Sequence, residues 1–513
     1  MAPDPAGDAA GNAAGRLAEL AGVAAALVRN VGDHVQALVE DVADDSREVA
    51  RQAEALYEIA RERVGGARET LRAAPRLARI VPEALALVAR YRLEGALDAA
   101  RSELSGEPRP ARDGLHARSA RRVRRLCEEL RGGVLKLGQF ASTRMDLLPE
   151  PWVTELARLQ DRVPPLPPSV VAGRLAGELG PDWGQRFASF EPEPLAAASL
   201  AQVHGATLAD GTPVAVKVLV PGIEDVVEAD LTALRVLLPT LGDLLPRVDL
   251  ATLAAELDRS VRGELDLSAE AQAAGELARA FAGDPDVVVP RVHLEASTRG
   301  VLVLERIAGE RLLPFFAGCA SRGEAGARDR DRVFEILIRS FCEQVLVHGV
   351  FQADAHPGNF LVVPGPDGPR LALLDFGCIE RYDAALRRQY AELGSAILAR
   401  DEARMAALFA EMGFRSRDDD PAALQAYAEL LLEAFRDEGD ALDGLENIAR
   451  GHRARIERIL ELTSANPIVR IPGHFVLLGR VFATLGGLLL HYRPRIRLSA
   501  VLRPNLAAAL RTS

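Results

Sequence analysis

Two short polar motifs on either side of a predicted β-hairpin constrain this chain more than any other feature. The motifs are FQADAHPGNF and LALLDFG. Between them, the apolar runs Phe360–Val363 and Leu371–Leu374 flank the turn-forming cluster PGPDG, which predicts two short strands joined by a turn. Such a hairpin brings the residues before its first strand next to those after its second. We therefore expect Asp354, Asn359 and Asp375 to converge at one end of a small sheet.

Two carboxylates and an amide in one place form the oxygen-rich set that a magnesium–nucleotide site requires. Mg²⁺ takes few oxygen ligands from protein and completes its octahedron with phosphate oxygens. A separate carboxylate must orient or deprotonate the attacking hydroxyl. The spacing from Asp354 to Asn359 matches the catalytic loop D-x-x-x-x-N of protein kinases, and Asp375-Phe376-Gly377 matches their D-F-G. D-F-G alone also describes a turn after a buried strand, but the ordered combination is far more specific.

The composition fits a large chain with more than one core. The chain has 513 residues, of which 48% are hydrophobic, and this length is ample for two or more domains. Its net charge of −11 gives no general attraction to nucleic acid, so no nucleic-acid partner is expected. The four cysteines are widely spaced without a C-x-x-C, which is typical of free thiols in a reducing cytoplasm.

No signal peptide or membrane span is expected. The N-terminus, MAPDPAGDAAGNAAG, is acidic and lacks an apolar core. The most apolar run, Phe475–Leu490, carries Arg480 and is too short to span a bilayer, so a buried helix is the better interpretation. We expect a cytoplasmic protein and leave peripheral membrane contact open.

Apolar residues at helical spacing predict helices in the first hundred residues. The stripes run through Leu17–Val42, Val49–Val64 and Ile80–Tyr91. An antiparallel helical hairpin packed on the main body is the favoured interpretation, and a surface that binds lipid or a partner is the alternative.

A second predicted hairpin carries a lysine that needs an anionic partner. The runs Ala201–Leu208 and Thr212–Val220 read as strands joined through Asp210-Gly211, which is a strong hairpin signal. Lys217 would lie in the pleat of the V-A-V-K strand, where an ammonium group requires a negative charge. In a kinase-like fold, nucleotide phosphates and a helix glutamate provide that charge. An exposed strand face is the simpler alternative.

Several other segments match a known family. They are K-x-G-Q at Lys136–Gln139, S-T-R at Ser142–Arg144, D-L-L-P at Asp146–Pro149, L-Q-D-x-V-P-P at Leu159–Pro165 and P-L-A-A-A-S-L-A-Q-V-H at Pro194–His204. With the catalytic-loop motifs, they make the stretch from about residue 78 to about residue 490 resemble the UbiB/AarF family of atypical, protein-kinase-like proteins. The motifs are highly specific in combination.

The resemblance implies an α+β, two-lobed protein-kinase-like fold with a helical N-terminal extension. The expected division is a variable helical region at 1–105, a K-x-G-Q extension at 106–190, a kinase-like N-lobe at 191–310 and a helical C-lobe at 311–513.

The resemblance also implies ATP or ADP with Mg²⁺ as the cofactor and assigns the principal roles. Asp354 would be the base or orienting acid, and Asn359 and Asp375 the metal ligands. Lys217 would clamp phosphates, and Glu270 would anchor Lys217.

A nucleotide loop and a hinge are implied in the same way. Alanines and a serine stand where a glycine-rich phosphate loop is usual, at Ala196, Ala197, Ala198 and Ser199. Because alanine has a Cβ, it resists positive φ and holds the backbone back from phosphates. In the resembled family, this loop alters nucleotide preference. Glu305 and Ile307 would lie at a hinge that contacts adenine.

The K-x-G-Q segment would form a regulatory lid. A predicted helix, Thr252–Ala280, carries three acids in the family's E-L-D-x-x-x-E-A pattern. By resemblance, Lys136 and Gln139 would face Glu264 and Asp266 and block the groove of a peptide substrate. A solvated acidic face is the alternative interpretation of this stretch taken alone.

The catalytic loop departs from the family at two positions. The family often has His-Ala-Asp-Pro-His-Pro-Gly-Asn, whereas this chain has Gln352 and Ala355 in place of the first His and the first Pro. Both positions support the backbone, and the implied metal ligands are retained.

The expected reaction is Mg-ATP hydrolysis or phosphoryl transfer to a small or lipid-like acceptor. In the resembled family, the setting is isoprenoid-quinone biosynthesis or lipid homeostasis. Two alternatives stay open, which are a pseudokinase that uses nucleotide as a switch and a lipid-presenting module. No residue pattern specifies the acceptor or the oligomeric state.

Overall fold

The computed structural model describes residues 113–142, 148–160, 165–232, 258–259, 261–418, 420, 422–426, 428, 466, 468–470 and 472–511, with 76, 79, 80, 83, 84, 86, 87, 90, 91 and 94. The predicted helices at 17–42 and 49–64 lie outside these residues. The described positions of the third stripe, from 80 to 91, are helical as predicted. The chain divides into two compact units, 1–161 with 224–254 and 162–223 with 255–513.

The described part of the first unit is helical, and three of its helices are described from end to end. They are α1 (Asp113–Leu130), α2 (Gly132–Ser142) and α3 (Glu150–Ala157), followed by a 3₁₀ turn at Arg158–Gln160. A buried carboxylate fixes the start of α2, because Asp230 accepts from the backbone N–H of Val134 at 3.1 Å and from Arg76 Nε at 2.6 Å. An ion pair of 2.8 Å between Arg124 and Glu155 joins α1 to α3.

In the second unit, eight α-helices and twelve strands are described from end to end. The helices are α4 (Pro168–Leu179), α5 (Leu267–Ala280), α6 (Leu312–Ala320), α7 (Gly323–Cys342), α8 (Ala384–Ala399), α9 (Glu402–Glu411), α10 (Gly473–Tyr492) and α11 (Leu498–Arg511). The strands are β1 (Phe187–Ala197), β2 (Ala201–Leu208), β3 (Pro213–Leu219), β4 (Val287–Val288), β5 (Val301–Glu305), β6 (Glu310–Arg311), β7 (Val350–Gln352), β8 (Phe360–Val363), β9 (Arg370–Leu373), β10 (Ile379–Arg381), β11 (Arg415–Ser416) and β12 (Ile468–Arg470).

A four-stranded antiparallel sheet holds the predicted lysine strand. Its order is β1-β2-β3-β5, and β3 pairs with β5 through Lys217 and Leu302. The alternation predicted for β3 is present, since Val214, Val216 and Val218 are buried in one cluster with residues of α4 and β5. The sheet begins at residue 187, which lies before the N-lobe start predicted at 191.

The hairpin between the two motifs forms as predicted. Strands β8 and β9 pair antiparallel, with Phe360 opposite Leu373 and Val363 opposite Arg370. The second strand begins one residue earlier than the predicted Leu371. This hairpin is the centre of a second sheet of order β4-β9-β8-β6.

The predicted helix Thr252–Ala280 is interrupted within its described part. Residues 264 and 265 form a turn, and α5 begins only at Leu267. The reason is a helix N-cap, because the Asp266 side chain accepts from the backbone N–H groups of Ser268 and Ala269. The sequence predicted that Glu264 and Asp266 share a helix with Glu270. They do not, because α5 begins after both of them.

Helix α10 is longer than the apolar run Phe475–Leu490 from which it was predicted. It has 20 residues and, among the described residues, is the one helix long and apolar enough to cross a membrane by length and composition. The expectation of a helix too short to span was therefore wrong. One face is buried in the helical core, at Leu477, Leu478, Val481, Leu485 and Leu489. The other face is open, with Phe482 56% and Leu490 39% exposed.

A left-handed glycine leads from the main helix into the catalytic loop. Helix α7 continues as a π-helix, Glu343–His348, which ends at Gly349 with φ of 69°. A Cβ on Gly349 would lie 2.6 Å from the backbone oxygen of Tyr382. Only glycine fits this position without moving the chain.

We predict that Gly349→Ala destabilises the protein by about 1–2 kcal/mol from the left-handed backbone alone, and by more because of the contact with Tyr382. Urea denaturation of the full chain measures the loss. The matched control is Gly211→Ala, where φ is also positive at 90° but the space for a Cβ is open. Equal losses in the two variants would contradict the close approach at Gly349.

Candidate functional site

An ion pair joins the sheet to α5. Lys217 Nζ lies 2.7 Å from Glu270 Oε1 and 2.8 Å from Oε2. The Glu270 side chain is 2% exposed and that of Lys217 is 21% exposed, so both charges are largely withdrawn from water. This pair therefore links β3 to α5.

The pKa shifts of this pair follow from burial and charge. Burial alone would lower the pKa of Lys217, but the negative charges of Asp375 and Glu270 outweigh burial, and the pKa lies above its ordinary value. Burial raises the pKa of Glu270, and the charge of Lys217 opposes that rise. The lysine therefore remains a cation throughout the physiological range.

Asp375 lies beside this pair, just after β9. Its Oδ1 is 3.8 Å from Lys217 Nζ and accepts from the backbone N–H of Gly377 at 2.9 Å. The structure thus brings together Lys217, Glu270 and Asp375, which the sequence places far apart.

The catalytic loop lies between β7 and β8. Its final turn is a 3₁₀ helix, Pro357–Asn359, where the backbone N–H of Gly358 donates to His356 Nδ1. The Asn359 side chain folds back, and its Nδ2 donates to the backbone oxygen of Asp354 at 3.0 Å. This bond fixes the orientation of the amide. Its Oδ1 is then the atom of this side chain that can coordinate a cation.

One residue of this site was not predicted from the sequence. Arg480, on the buried side of α10, places Nη2 2.8 Å from Asp354 Oδ1. Its side chain is 15% exposed. A single arginine in an apolar helix needs an anionic partner when buried, so the signal for a partner was present. The sequence could not identify Asp354 as that partner.

The alanine-rich stretch forms a closed hairpin. Ala196 and Ala197 belong to β1 and pair with Val203 and Gln202. The backbone N–H of Ala198 donates to the Ala201 oxygen at 2.8 Å, and Ser199 is buried. The expected loop is therefore largely strand, and the Ala198 N–H is used inside the hairpin.

The predicted hinge follows β5. The backbone N–H of Glu305 donates to the Arg291 oxygen at 2.8 Å, and that of Arg306 donates to the Pro213 oxygen at 3.1 Å. Arg306 also forms an ion pair with Glu191 of β1. Ile307 is half-buried. The contact of Glu305 and Ile307 with adenine stays a prediction.

The four predicted lid residues fall in different units. Lys136 and Gln139 lie on α2 of the first unit, where Gln139 Nε2 donates to the Leu159 oxygen at 2.9 Å. Glu264 and the cap residue Asp266 belong to the second unit. The facing arrangement of these two pairs stays a prediction.

The donor set suits magnesium with a nucleotide better than a metal held by protein alone. Among the described residues, no group of three or more His, Cys, Asp or Glu is placed to hold a metal. Asp375 offers a carboxylate that is 40% exposed, and Asn359 offers its amide oxygen. Mg²⁺ prefers such a small protein set, completed by phosphate oxygens. Lys217 uses two ammonium protons on Glu270 and has a third for phosphate.

Comparisons with known proteins cover the same region. A family model described as the ABC1 atypical kinase-like domain matches residues 158–409. The "Probable protein kinase UbiB" of Marinobacter nauticus is 38% identical over 262 residues, which are 50% of this chain and 47% of that protein. An uncharacterized protein of Synechocystis is 36% identical over 285 residues, which are 54% of this chain and 69% of that protein.

Two further similarities extend over more of the chain. The chloroplastic "ACTIVITY OF BC1 COMPLEX KINASE 8" of Arabidopsis thaliana is 30% identical over 403 residues, or 74% of this chain and 52% of that protein. A Mycobacterium tuberculosis protein solved in complex with erythromycin has a TM-score of 0.50 and 27% identity, and the match covers 74% of this chain and 94% of that one. The chain spans about half the length of the two relatives named as kinases.

We predict that Glu270→Ala lowers the free energy of unfolding by about 3–5 kcal/mol, because it leaves Lys217 as an unpaired, largely buried cation. Chemical denaturation without nucleotide measures the loss. The control, Asp329→Ala, removes an exposed pair with Arg322 and should cost less than about 1 kcal/mol.

The double variant Lys217→Met/Glu270→Leu distinguishes loss of pairing from loss of packing. Replacing both charges with apolar groups should recover most of the lost stability. A double variant as unstable as Glu270→Ala would show that the charges are not the cause.

Proposed function

Because this chain belongs to the UbiB/AarF family of atypical, protein-kinase-like proteins, we propose that it binds Mg-ATP and hydrolyses it or transfers its phosphoryl group. The α+β kinase-like fold expected from the sequence is confirmed. The observation that carries the proposal is the Lys217–Glu270 ion pair with Asp375 3.8 Å from the lysine. That arrangement supports a phosphate clamp beside a cation site.

In the proposed reaction, Lys217 binds phosphate oxygens through its free ammonium proton. Glu270 prevents the lysine from moving away, since both carboxylate oxygens are bonded to it. The oxygens of Asn359 and Asp375 hold Mg²⁺, which neutralises charge on the phosphates. The exposed fraction of Asp375 leaves room for a ligand.

Asp354 orients the nucleophile, which is water in hydrolysis or an acceptor hydroxyl in transfer. One of its oxygens is engaged by Arg480, so the other is the one that can accept from the nucleophile. This geometry leaves Asp354 fixed in direction by Arg480 and favours an orienting role.

We propose a small or lipid-like acceptor and a role in isoprenoid-quinone or lipid metabolism. The relative from Mycobacterium tuberculosis was solved with a small molecule, erythromycin. The exposed apolar face of α10, at Phe482 and Leu490, is compatible with peripheral contact with a membrane. A nucleotide-switched pseudokinase is the second candidate, and the Arg480–Asp354 pair is the observation that favours it.

We predict that Asp375→Asn weakens Mg²⁺-dependent ATP binding by at least about tenfold, since changes even to residues around a metal ligand cost that much, and abolishes turnover. Calorimetric titration with Mg-ATP and a phosphate-release assay measure the two effects. Asp367→Asn, in the exposed turn of the same hairpin, is the control and should behave as wild type. Unchanged hydrolysis in Asp375→Asn would exclude Asp375 as the metal ligand of the proposed Mg-ATP site.

We predict that Asp354→Asn leaves Mg-ATP binding intact and lowers turnover by roughly 10²-fold or more. The amide keeps the shape of the side chain but lacks the negative charge that orients the nucleophile and pairs with Arg480. The nucleotide-induced shift in melting temperature reports binding, and phosphate release reports turnover. A variant that loses binding as much as turnover would make Asp354 a ligand or a folding residue.

A further inference from the structure

The turn between α1 and α2, just before the K-x-G-Q motif, has a strained backbone. Arg131 has a φ of 54° and Gly132 a φ of 63°, so two consecutive residues are left-handed. This conformation is unfavourable for Arg131, which has a Cβ. The turn therefore needs contacts from the surrounding structure to persist.

A largely buried ion pair provides those contacts. The guanidinium of Arg76 donates to both carboxylate oxygens of Asp230, through Nε at 2.6 Å and through Nη2 at 2.8 Å. The side chain of Asp230 is 3% exposed and that of Arg76 is 16% exposed. Two parallel hydrogen bonds of this kind fix the relative orientation of the two side chains.

Each charge of this pair lies at a helix end of opposite sign. Arg76 Nη1 donates to the backbone oxygen of Leu130 at 2.8 Å and Nη2 to that of Arg131 at 3.1 Å, where α1 ends. Asp230 Oδ2 accepts from the backbone N–H of Val134 at 3.1 Å, in the first turn of α2. A cation thus meets the carbonyls of one helix end and an anion meets the N–H groups of the other, which favours both ends.

Two glycines allow the chain that carries Asp230 to approach this turn. A Cβ on Gly132 would lie 2.6 Å from Val226 Cγ1, and a Cβ on Gly133 would lie 3.0 Å from Asp230 Cβ. The helical residues 224–232 therefore lie directly against the start of α2.

The middle of α2 is also held within the first unit. A Cβ on Gly138 would lie 2.5 Å from Leu159 Cδ1 and 2.9 Å from Cys127 Sγ, so α2 packs closely on its neighbours. Gln139 Nε2 donates to the Leu159 oxygen at 2.9 Å. The glycine and the glutamine of K-x-G-Q thus fix the helix, and the position of Lys136 follows from the position of α2.

We propose that Asp230 is a positioning residue of the predicted lid. With Arg76, it sets the direction in which α2 leaves its turn, and hence the place of Lys136. This role rests on the proposed function, because a lid affects only a site that transfers phosphate. Asp230 acts through α2 and not through the nucleotide.

A loosened α2 would open the groove predicted for a peptide, and the chain could then phosphorylate itself. In that step, a side-chain hydroxyl of the chain attacks the γ-phosphorus of ATP. The bond between the γ-phosphorus and the β-phosphate oxygen breaks, and ADP and the hydroxyl proton leave.

Hydrogen exchange of residues 131–142 in nucleotide-free protein tests the positioning itself. Asp230→Ala should exchange there at least about tenfold faster than wild type, because it removes the acceptor at the start of α2 and the partner of Arg76. Asp230→Asn keeps an oxygen that can accept from Val134, so its exchange should fall between the two. Exchange as slow in Asp230→Ala as in wild type would overturn the proposal.

Arg76→Gln and Arg79→Gln form a matched pair of variants. Arg79 also pairs with the last turns of α1, through Glu129, but its side chain is 63% exposed and that of Glu129 is 57% exposed. Arg76→Gln should speed the exchange of α2, whereas Arg79→Gln should leave it unchanged. Equal effects would show that losing any ion pair to α1 is sufficient, and would overturn the role of the buried pair.

Phosphate transfer from γ-labelled Mg-ATP separates this proposal from the proposed function. Asp230→Asn should incorporate at least about fivefold more phosphate into itself than wild type or Arg79→Gln. Its affinity for Mg-ATP should be unchanged, since Lys217 and Asp375 are intact. A wild type that does not bind Mg-ATP would reject the proposed function, and the exchange result would still decide whether Asp230 positions α2. In a chain that binds Mg-ATP, faster exchange without added phosphate would overturn the role in the lid.

Discussion

The ion pair between Lys217 and Glu270 is the constraint on which the rest of the site depends. A carboxylate that is 2% exposed is tolerated only with a charged partner, so β3 and α5 cannot separate without exposing or isolating a charge. Asp375 of D-F-G lies 3.8 Å from the same lysine, so it belongs to the same charged cluster.

A second ion pair, between Arg480 and Asp354, constrains the catalytic loop in a similar way. The side chains of Arg480 and Asp354 are 15% and 25% exposed. The two residues lie on elements that are far apart in sequence. Helix α10 supplies this charge from its inner side and leaves Phe482 and Leu490 exposed on its outer side. Any ligand that moved α10 outward would therefore change the charge next to Asp354.

Local rules predicted the strands and the hairpins, since alternation in β3 and the turn residues after β8 act over a few residues. They failed where a single side chain redirects the backbone, as when Asp266 caps α5 and ends the preceding turn. They also failed for Arg480, because only the folded chain brings its partner Asp354 close. The motif spacing predicted which residues would bind the ligand, but not which side chains contact those residues.

The closed hairpin at the alanines adds a limit on how phosphate can be bound. The Ala198 N–H is bonded to the Ala201 oxygen, and the neighbouring alanines are paired within the sheet. A phosphate loop works by offering free backbone N–H groups, and at least this one is withdrawn. In the proposed site, more of the phosphate charge would then be met by Lys217 and by a cation held at Asn359 and Asp375. The alignment of Asp375 consequently matters more in this site than in one with a glycine-rich loop.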